Sequence, residues 1–403
     1  MHCQIKQPFG LFLTFFLLLA TASCTAVPEP TVQSNLNAER IIPGAERLNA
    51  YLPKLKNKRI AIAANHTSML TSTHLVDTLR SLGVNVVCIF TPEHGFRGEA
   101  DAGEKVSSSV DSKSGLPIFS LYGKKVKPDS SQLAQFDLLI YDIQDVGARF
   151  FTYTSFLRDL MEACAENNKE CIVLDRPNPN IDITDGPVLQ ACCSSYVGSL
   201  KVPILYGMSI GELAQMIKGE AWINKATSLQ LTVIPIANYT RQSIYVPPIP
   251  PSPNLKSYQA IRWYPNLCFF EATNISVGRG TPFPFEVVGG PKPTLGSFTF
   301  TPIAMPGAAK NPMHKDLVCY GLDLRELPAP VGLQWNILRE MAAKSGGWDK
   351  MVTSQNFFYK LSGNETVLKL LKEGASDETI RASYVQELEA FIKLRSPYLI
   401  YPN

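Results

Sequence analysis

The sequence has little of what nucleic-acid, zinc or dinucleotide binding would need, and each shortage narrows the reading. Its 38 lysines and arginines nearly balance 35 aspartates and glutamates, a formal charge of +3. No basic arm or stripe is set aside to neutralise several phosphates, which speaks against a nucleic-acid partner. Neither a CxxC pair nor an HExxH motif occurs, so a structural or zincin-type zinc site has no support, and no metal is assigned. The chain after the first apolar strand reads Ala63-Ala64-Asn65-His66 where a dehydrogenase would place its glycine fingerprint, and no cofactor is implied. The apolar run Leu11–Ala20 falls well short of the roughly 20 residues that cross a bilayer.

What is present begins with an export signal. Lys6 supplies positive charge, Leu11–Ala20 the apolar core, and Thr21-Ala22-Ser23-Cys24 the small residues that precede cleavage. The arrangement resembles a bacterial lipoprotein site, with Cys24 as the lipid-bearing N-terminus, against ordinary cleavage near Ala22. Residues 1–24 are read as signal peptide and 25–40, rich in Pro, Thr, Ser and Asn, as a tether. The expected location is periplasmic or cell-surface, with a membrane anchor. Seven cysteines remain beyond Cys3 and Cys24. Cys88, Cys164 and Cys171 fall in apolar elements and read as buried thiols, while Cys192, Cys193, Cys268 and Cys319 are candidates for pairing in an oxidising compartment.

With 403 residues, 45% of them hydrophobic, the chain can bury a large core. Strands are expected at Arg59–Ala63, Val84–Phe90, Asp137–Tyr141 and Cys171–Leu174, with helices at His74–Leu82 and Ser155–Asn167. Near-continuous apolar strands separated by helices specify a parallel α/β sheet covered on both faces. A helix from Gly207 to about Gly219 and a strand at Leu229–Pro235 follow. The polyproline-like Val246–Pro253 marks a crossing, so the larger α/β domain is placed at 41–259 and a smaller α+β domain at 260–403. That second domain is expected to carry helices at Gly332–Lys344 and Asp377–Leu394.

Polar residues cluster where such a sheet puts its ligand. Asn65 and His66 follow the first strand, Glu93 and His94 the second, Asp142 and Asp145 the third, Asp175 and Arg176 the fourth. Any one of them is explained equally well as a helix cap. Four strands aiming carboxylates, amide and imidazoles at one rim are not.

Gly207-Met208-Ser209-Ile210-Gly211 matches the nucleophile elbow of serine hydrolases, and an esterase or amidase using Ser209 is one alternative. Its triad is poorly supplied: His314 is the only later histidine, and no aspartate lies between the two. Ser209-x-x-Glu212 before an apolar run is also a capping box, the preferred reading. A lipid-anchored binding protein without turnover is a second alternative.

Glycan cleavage suits the rim better. Protonating a glycosidic oxygen needs a carboxylic acid walled by apolar groups, and Glu93 beside Phe96 is the candidate. Asp142 and Asp145 are the nearest residues to activate water or stabilise charge. Arg149 and, from the second domain, Arg279 offer planar forks that grip a carboxylate, which points to an anionic sugar.

Several blocks carry a family likeness: Thr91–Ala102 with Gly103-Glu104, Tyr141–Phe150, Leu174–Pro179, Pro250–Asn254 and Phe270–Asn274 with Gly278–Thr281. They resemble the NamZ-type exo-β-N-acetylmuramidases over nearly the whole mature chain. The resemblance implies a Rossmann-like domain joined to a smaller one, with the site in the cleft between them. It implies release of terminal N-acetylmuramic acid from non-reducing ends of peptidoglycan fragments, with Glu93 as the favoured catalytic residue. The lactyl carboxylate of that sugar is then the anion for Arg149 and Arg279, Asn65, His94 and Glu271 are candidates to orient the acid or the N-acetyl group, and His66 is a candidate to shape substrate fit near Glu93. His66 stands where the family commonly has glutamine, and Ala272 where glycine is usual.

Overall fold

A seven-stranded sheet organises the chain. Its strands are β1 (Ile60–Ala64), β2 (Val86–Thr91), β3 (Ser109–Val110), β4 (Pro117–Ser120), β5 (Leu138–Asp142), β6 (Glu170–Leu174) and β7 (Gln230–Ile234), in the order β7-β6-β5-β1-β2-β4-β3. All neighbours run parallel except β3 against β4. The structure is a computed structural model that describes residues 2, 39–93, 95–96, 109–123 and 125–403, of which 40–403 form one unit.

Every residue of β1 and β5 is buried, as expected of apolar strands covered on both faces. Side chains alternate between two cores. Ile60, Ile62, Leu138 and Ile140 meet helices α1 (Leu48–Leu55) and α2 (Leu75–Ser81) on one face. Ala61, Ala63, Leu139 and Tyr141 meet α3 (Tyr153–Glu166) and α4 (Ile210–Gly219) on the other. Helix α3 presents Phe156, Leu157, Leu160, Met161 and Cys164, the spacing of a core-facing stripe. It ends at Asn167 and Asn168, the latter at φ 53°, a left-handed conformation asparagine tolerates.

The expected strands and helices of this half lie within about three residues of those observed. Before α4, Leu205–Tyr206 pairs, antiparallel, with Thr184–Asp185.

Helix α5 (Tyr258–Leu267) runs across residue 260. Beyond it, β8 (Val287–Gly290), β9 (Phe298–Phe300) and β10 (Cys319–Asp323) form a small antiparallel sheet in the order β8-β10-β9. The core on the α3 and α4 face continues through Phe269, Trp335, Met341 and Phe358, so both halves share apolar contacts. The single late helix expected at Asp377–Leu394 is two, Asp377–Ala382 and Val385–Arg395. The break turns Tyr384 inward, where its hydroxyl donates to Asp185 at 3.3 Å while Arg381 reaches the same carboxylate at 2.7 Å. Tertiary contact overrides helix propensity there.

Candidate active site

In an open parallel sheet the ligand crevice lies where the strand order reverses, here between β1 and β5. Protein groups narrow that place to a cavity of about 210 Å³, lined by Thr67, Gln144, Arg176 and Tyr245. Arg176 donates from Nε to Asp142 Oδ1 at 2.5 Å and from Nη2 to Oδ2 at 2.8 Å, and both side chains are buried. Asn65 Oδ1 accepts from the Thr67 amide and hydroxyl at 2.9 and 2.6 Å, and Thr67 Oγ1 in turn accepts from the Gln144 amide at 3.0 Å. His66 Nε2 meets the Pro250 carbonyl at 2.9 Å, in the polyproline segment.

The large cavity, about 710 Å³, lies to the side. The first half of the chain contributes Glu93, Tyr122, Thr152 and Tyr153, and the second half Asn254, Glu271, Ser276 and Arg279. Glu93 stands just past β2 and accepts a 3.4 Å hydrogen bond from the Thr152 hydroxyl. Tyr122 and Tyr153 lie beside it: burial first, and then the Glu93 charge, push both phenols well above the ordinary tyrosine value. Phe96 does not supply the apolar wall expected of it. It sits in the core on the α1 and α2 face, edge-on to His74 with ring centroids 4.8 Å apart. The aromatic wall instead includes Tyr122, Phe150, Phe151, Tyr153, Tyr264 and Phe285.

Of the sequence candidates, Glu93, Glu271 and Arg279 border this cavity. Arg279 donates from Nε and Nη2 to Glu271 Oε1, at 2.8 and 2.6 Å, with its guanidinium 5.0 Å from the Phe285 ring. Both side chains are about a quarter exposed. Asn65 reaches the cavity only through Tyr153, whose hydroxyl accepts from its Nδ2 at 3.0 Å.

Three expectations need correction. Asp142 does not face the cavity, because it is closed in the ion pair with Arg176. Asp145 is buried behind it, with Oδ2 accepting from the Tyr206 hydroxyl and, at 2.7 Å, from the Gly147 amide. Burial pushes its carboxyl up to about 6 against those hydrogen bonds. Arg149 binds no carboxylate among the described residues. Its guanidinium donates to the carbonyls of Pro187, Val202 and Leu361 at 2.8 to 2.9 Å, and burial lowers it to about 9. Gly363, at φ +85°, makes room for it, since a Cβ there would stand 2.5 Å from Nη2. His94 and Cys24 lie outside the described residues.

Ser209 caps α4. Its Oγ accepts from the Glu212 amide at 3.1 Å while Glu212 Oε2 accepts from the Ser209 amide at 2.9 Å, and the hydroxyl donates to Asp175 at 2.6 Å. It is buried away from the cavity. The seven cysteines from Cys88 to Cys319 are all free thiols, with Cys192 and Cys193 in contact at 3.3 Å.

Sequence reasoning missed Thr152 and the placement of Tyr122 and Tyr153 beside Glu93. Tyr122 follows β4, a four-residue strand that starts at a proline. The short apolar run Leu116–Phe119 before Tyr122-Gly123 was the available signal.

Comparison with known proteins agrees with this architecture. A solved DUF1343 family protein from Bacteroides fragilis NCTC 9343 superposes with a TM-score of 0.83 at 44% identity, covering 91% of this chain and 100% of that one. A second from the same organism gives 0.78 at 28% identity, covering 90% and 99%. The peptidoglycan beta-N-acetylmuramidase NamZ of Bacillus subtilis (strain 168) is 34% identical over 419 residues, 98% of this chain and 100% of its own. Residues 60–259 match the N-terminal part of the family described as exo-beta-N-acetylmuramidase NamZ, and residues 262–401 its C-terminal part. With both parts matched in order around one shared cavity, the chain belongs to the NamZ exo-β-N-acetylmuramidase family.

Proposed function

We propose that the chain is an exo-acting glycoside hydrolase that releases terminal N-acetylmuramic acid from the non-reducing ends of peptidoglycan fragments, with Glu93 as its general acid. The observation that carries the reading is that Glu93, at the carboxyl end of β2, and Arg279, from the later half, border one cavity large enough for a sugar. In that reading the protonated Glu93 carboxyl delivers its proton to the glycosidic oxygen as the bond to the anomeric carbon breaks. The sugar then passes through an oxocarbenium-like state before water adds. The Thr152 hydroxyl and Tyr122 hold the carboxyl in register.

Arg279 is the cation assigned to the lactyl carboxylate. Glu271 occupies its Nε and Nη2 edge and fixes the plane of the guanidinium, and the Nη1 edge is the one offered to the sugar. Residues 41–259 would then supply the acid and residues 260–403 the recognition of the anion.

The test is hydrolysis of a chromogenic aryl β-N-acetylmuramide and its β-N-acetylglucosaminide counterpart, which differ in the lactyl group. Release from the muramide alone, abolished in Glu93→Gln, is expected. Equal release from both would remove the assigned role of Arg279.

The N-terminal segment is proposed to send the protein out of the cytoplasm and to attach it to membrane through a lipid on Cys24, within reach of peptidoglycan. Cys24→Ala should release the protein into the soluble fraction and abolish labelling by palmitate. Unchanged membrane association would exclude the anchor.

A further inference from the structure

The cavity contains a hydrogen-bond donor whose direction the protein has fixed. Tyr153 begins α3, is 2% exposed, and lines the cavity beside Glu93. A phenol has one proton to give and can accept on oxygen. Asn65 decides which of the two it does toward the protein. The amide oxygen of Asn65 is already taken by the amide and the hydroxyl of Thr67, so the edge turned to Tyr153 at 3.0 Å is NH₂, which only donates. The Tyr153 oxygen therefore accepts from Asn65, and its proton must go elsewhere. Its described acceptor is the Pro251 carbonyl at 3.4 Å, well beyond the usual 2.5–3.0 Å of an O–H···O bond. A strong acceptor entering the cavity would take that proton in preference.

We propose that Tyr153 is a substrate-binding residue that donates its hydroxyl proton to the carbonyl oxygen of the sugar's 2-acetamido group, and that Asn65 is the positioning residue that sets this polarity. The proposal rests on Glu93 being the acid. An acid at the glycosidic oxygen of C1 has the C2 substituent as its nearest neighbour on the ring, and Tyr153 is the buried neutral donor beside that acid. A neutral phenol suits an amide carbonyl, whereas the charged fork of Arg279 suits the lactyl carboxylate on C3.

The test compares kcat/KM for an aryl β-muramide carrying N-acetyl with one carrying N-trifluoroacetyl, whose carbonyl is a poorer acceptor. Wild type, Tyr153→Phe and Asn65→Asp are compared, each first checked for a native melting transition. Tyr153→Phe should lose about tenfold on the N-acetyl substrate and little on the other, so the preference collapses. Asn65→Asp places an acceptor where the wild type has a donor. It draws the phenol proton away from the ligand and should shrink the preference in the same sense. Equal losses on both substrates in Tyr153→Phe, or an unchanged preference in either variant, would overturn the proposal. Failure of the underlying reading looks different: Glu93→Gln would remain active, or wild type would cleave neither substrate.

Discussion

Asp142 and Arg176, at the ends of β5 and β6, are joined by two hydrogen bonds of 2.5 and 2.8 Å inside the protein. The pair lies against the strand ends where an open α/β sheet ordinarily receives its ligand. Together with the Asn65, Thr67 and Gln144 network it narrows that crevice to a cavity of about 210 Å³ lined by Thr67, Gln144, Arg176 and Tyr245. The larger space opens beyond β2, against the later half of the chain. A fold usually associated with nucleotides thus presents a sugar-sized cavity bordered by one acid near a strand end and one arginine from elsewhere.

Breaking that pair from one side leaves a buried charge without its partner. Asp142→Ala is expected to destabilise the protein by about 3–5 kcal/mol, read by urea unfolding. A change below about 1 kcal/mol would contradict the structural role.

The two arginines singled out in the sequence should separate cleanly. Arg149→Ala strands the carbonyls of Pro187, Val202 and Leu361 and is expected to cost about 3 kcal/mol or more. Arg279→Ala, at a partly exposed pair, should change stability by no more than about 1 kcal/mol. It should lower kcat/KM on an aryl β-N-acetylmuramide by about 10- to 100-fold. Thermal melting beside steady-state kinetics decides it, and the opposite pattern would reverse the assignment.

Ser209→Ala should remain an active glycosidase. Its expected effect is the loss of a helix cap, about 1 kcal/mol, seen as a lower urea midpoint. Abolished turnover in a folded variant would restore the serine-hydrolase reading.

Asp145 makes stability depend on pH. Its carboxyl, held at about 6 by burial, compares with 3.8 for an ordinary aspartate, and its Oδ1 has no partner among the described residues. Between about pH 4 and 6 the folded protein keeps this proton while the unfolded chain has released it. Stability from this group therefore falls as pH rises through that window, by up to about 1.4 kcal/mol per pH unit, and levels off above it. Asp145→Asn, which resembles the neutral acid, should remove that slope. Parallel pH dependences of urea unfolding for the two proteins would contradict it.

Strands β1, β2, β5 and β6 were legible because burial on both faces leaves an uninterrupted apolar run, and the rim residues followed from where those runs stop. The Ser209 and Glu212 capping box was legible because it spans four residues. The employment of each rim residue was not. Asp142 finds Arg176 across 34 positions, and Arg149 reaches the Leu361 carbonyl across 212. No local pattern records such partners. The break before Val385 was hidden for the same reason, since Asp185, far back in the chain, holds Tyr384 there.

The central claim is that Glu93 cleaves a terminal muramic-acid linkage in the cavity it shares with Arg279. It is tested most directly by incubating wild type and Glu93→Gln with N-acetylmuramyl-β-1,4-N-acetylglucosamine and with the disaccharide of reversed order, and identifying products by mass spectrometry. The account predicts both monosaccharides from the first substrate with wild type, none from the reversed disaccharide, and none from either with Glu93→Gln. Full activity of Glu93→Gln, or cleavage of the reversed disaccharide, would contradict it.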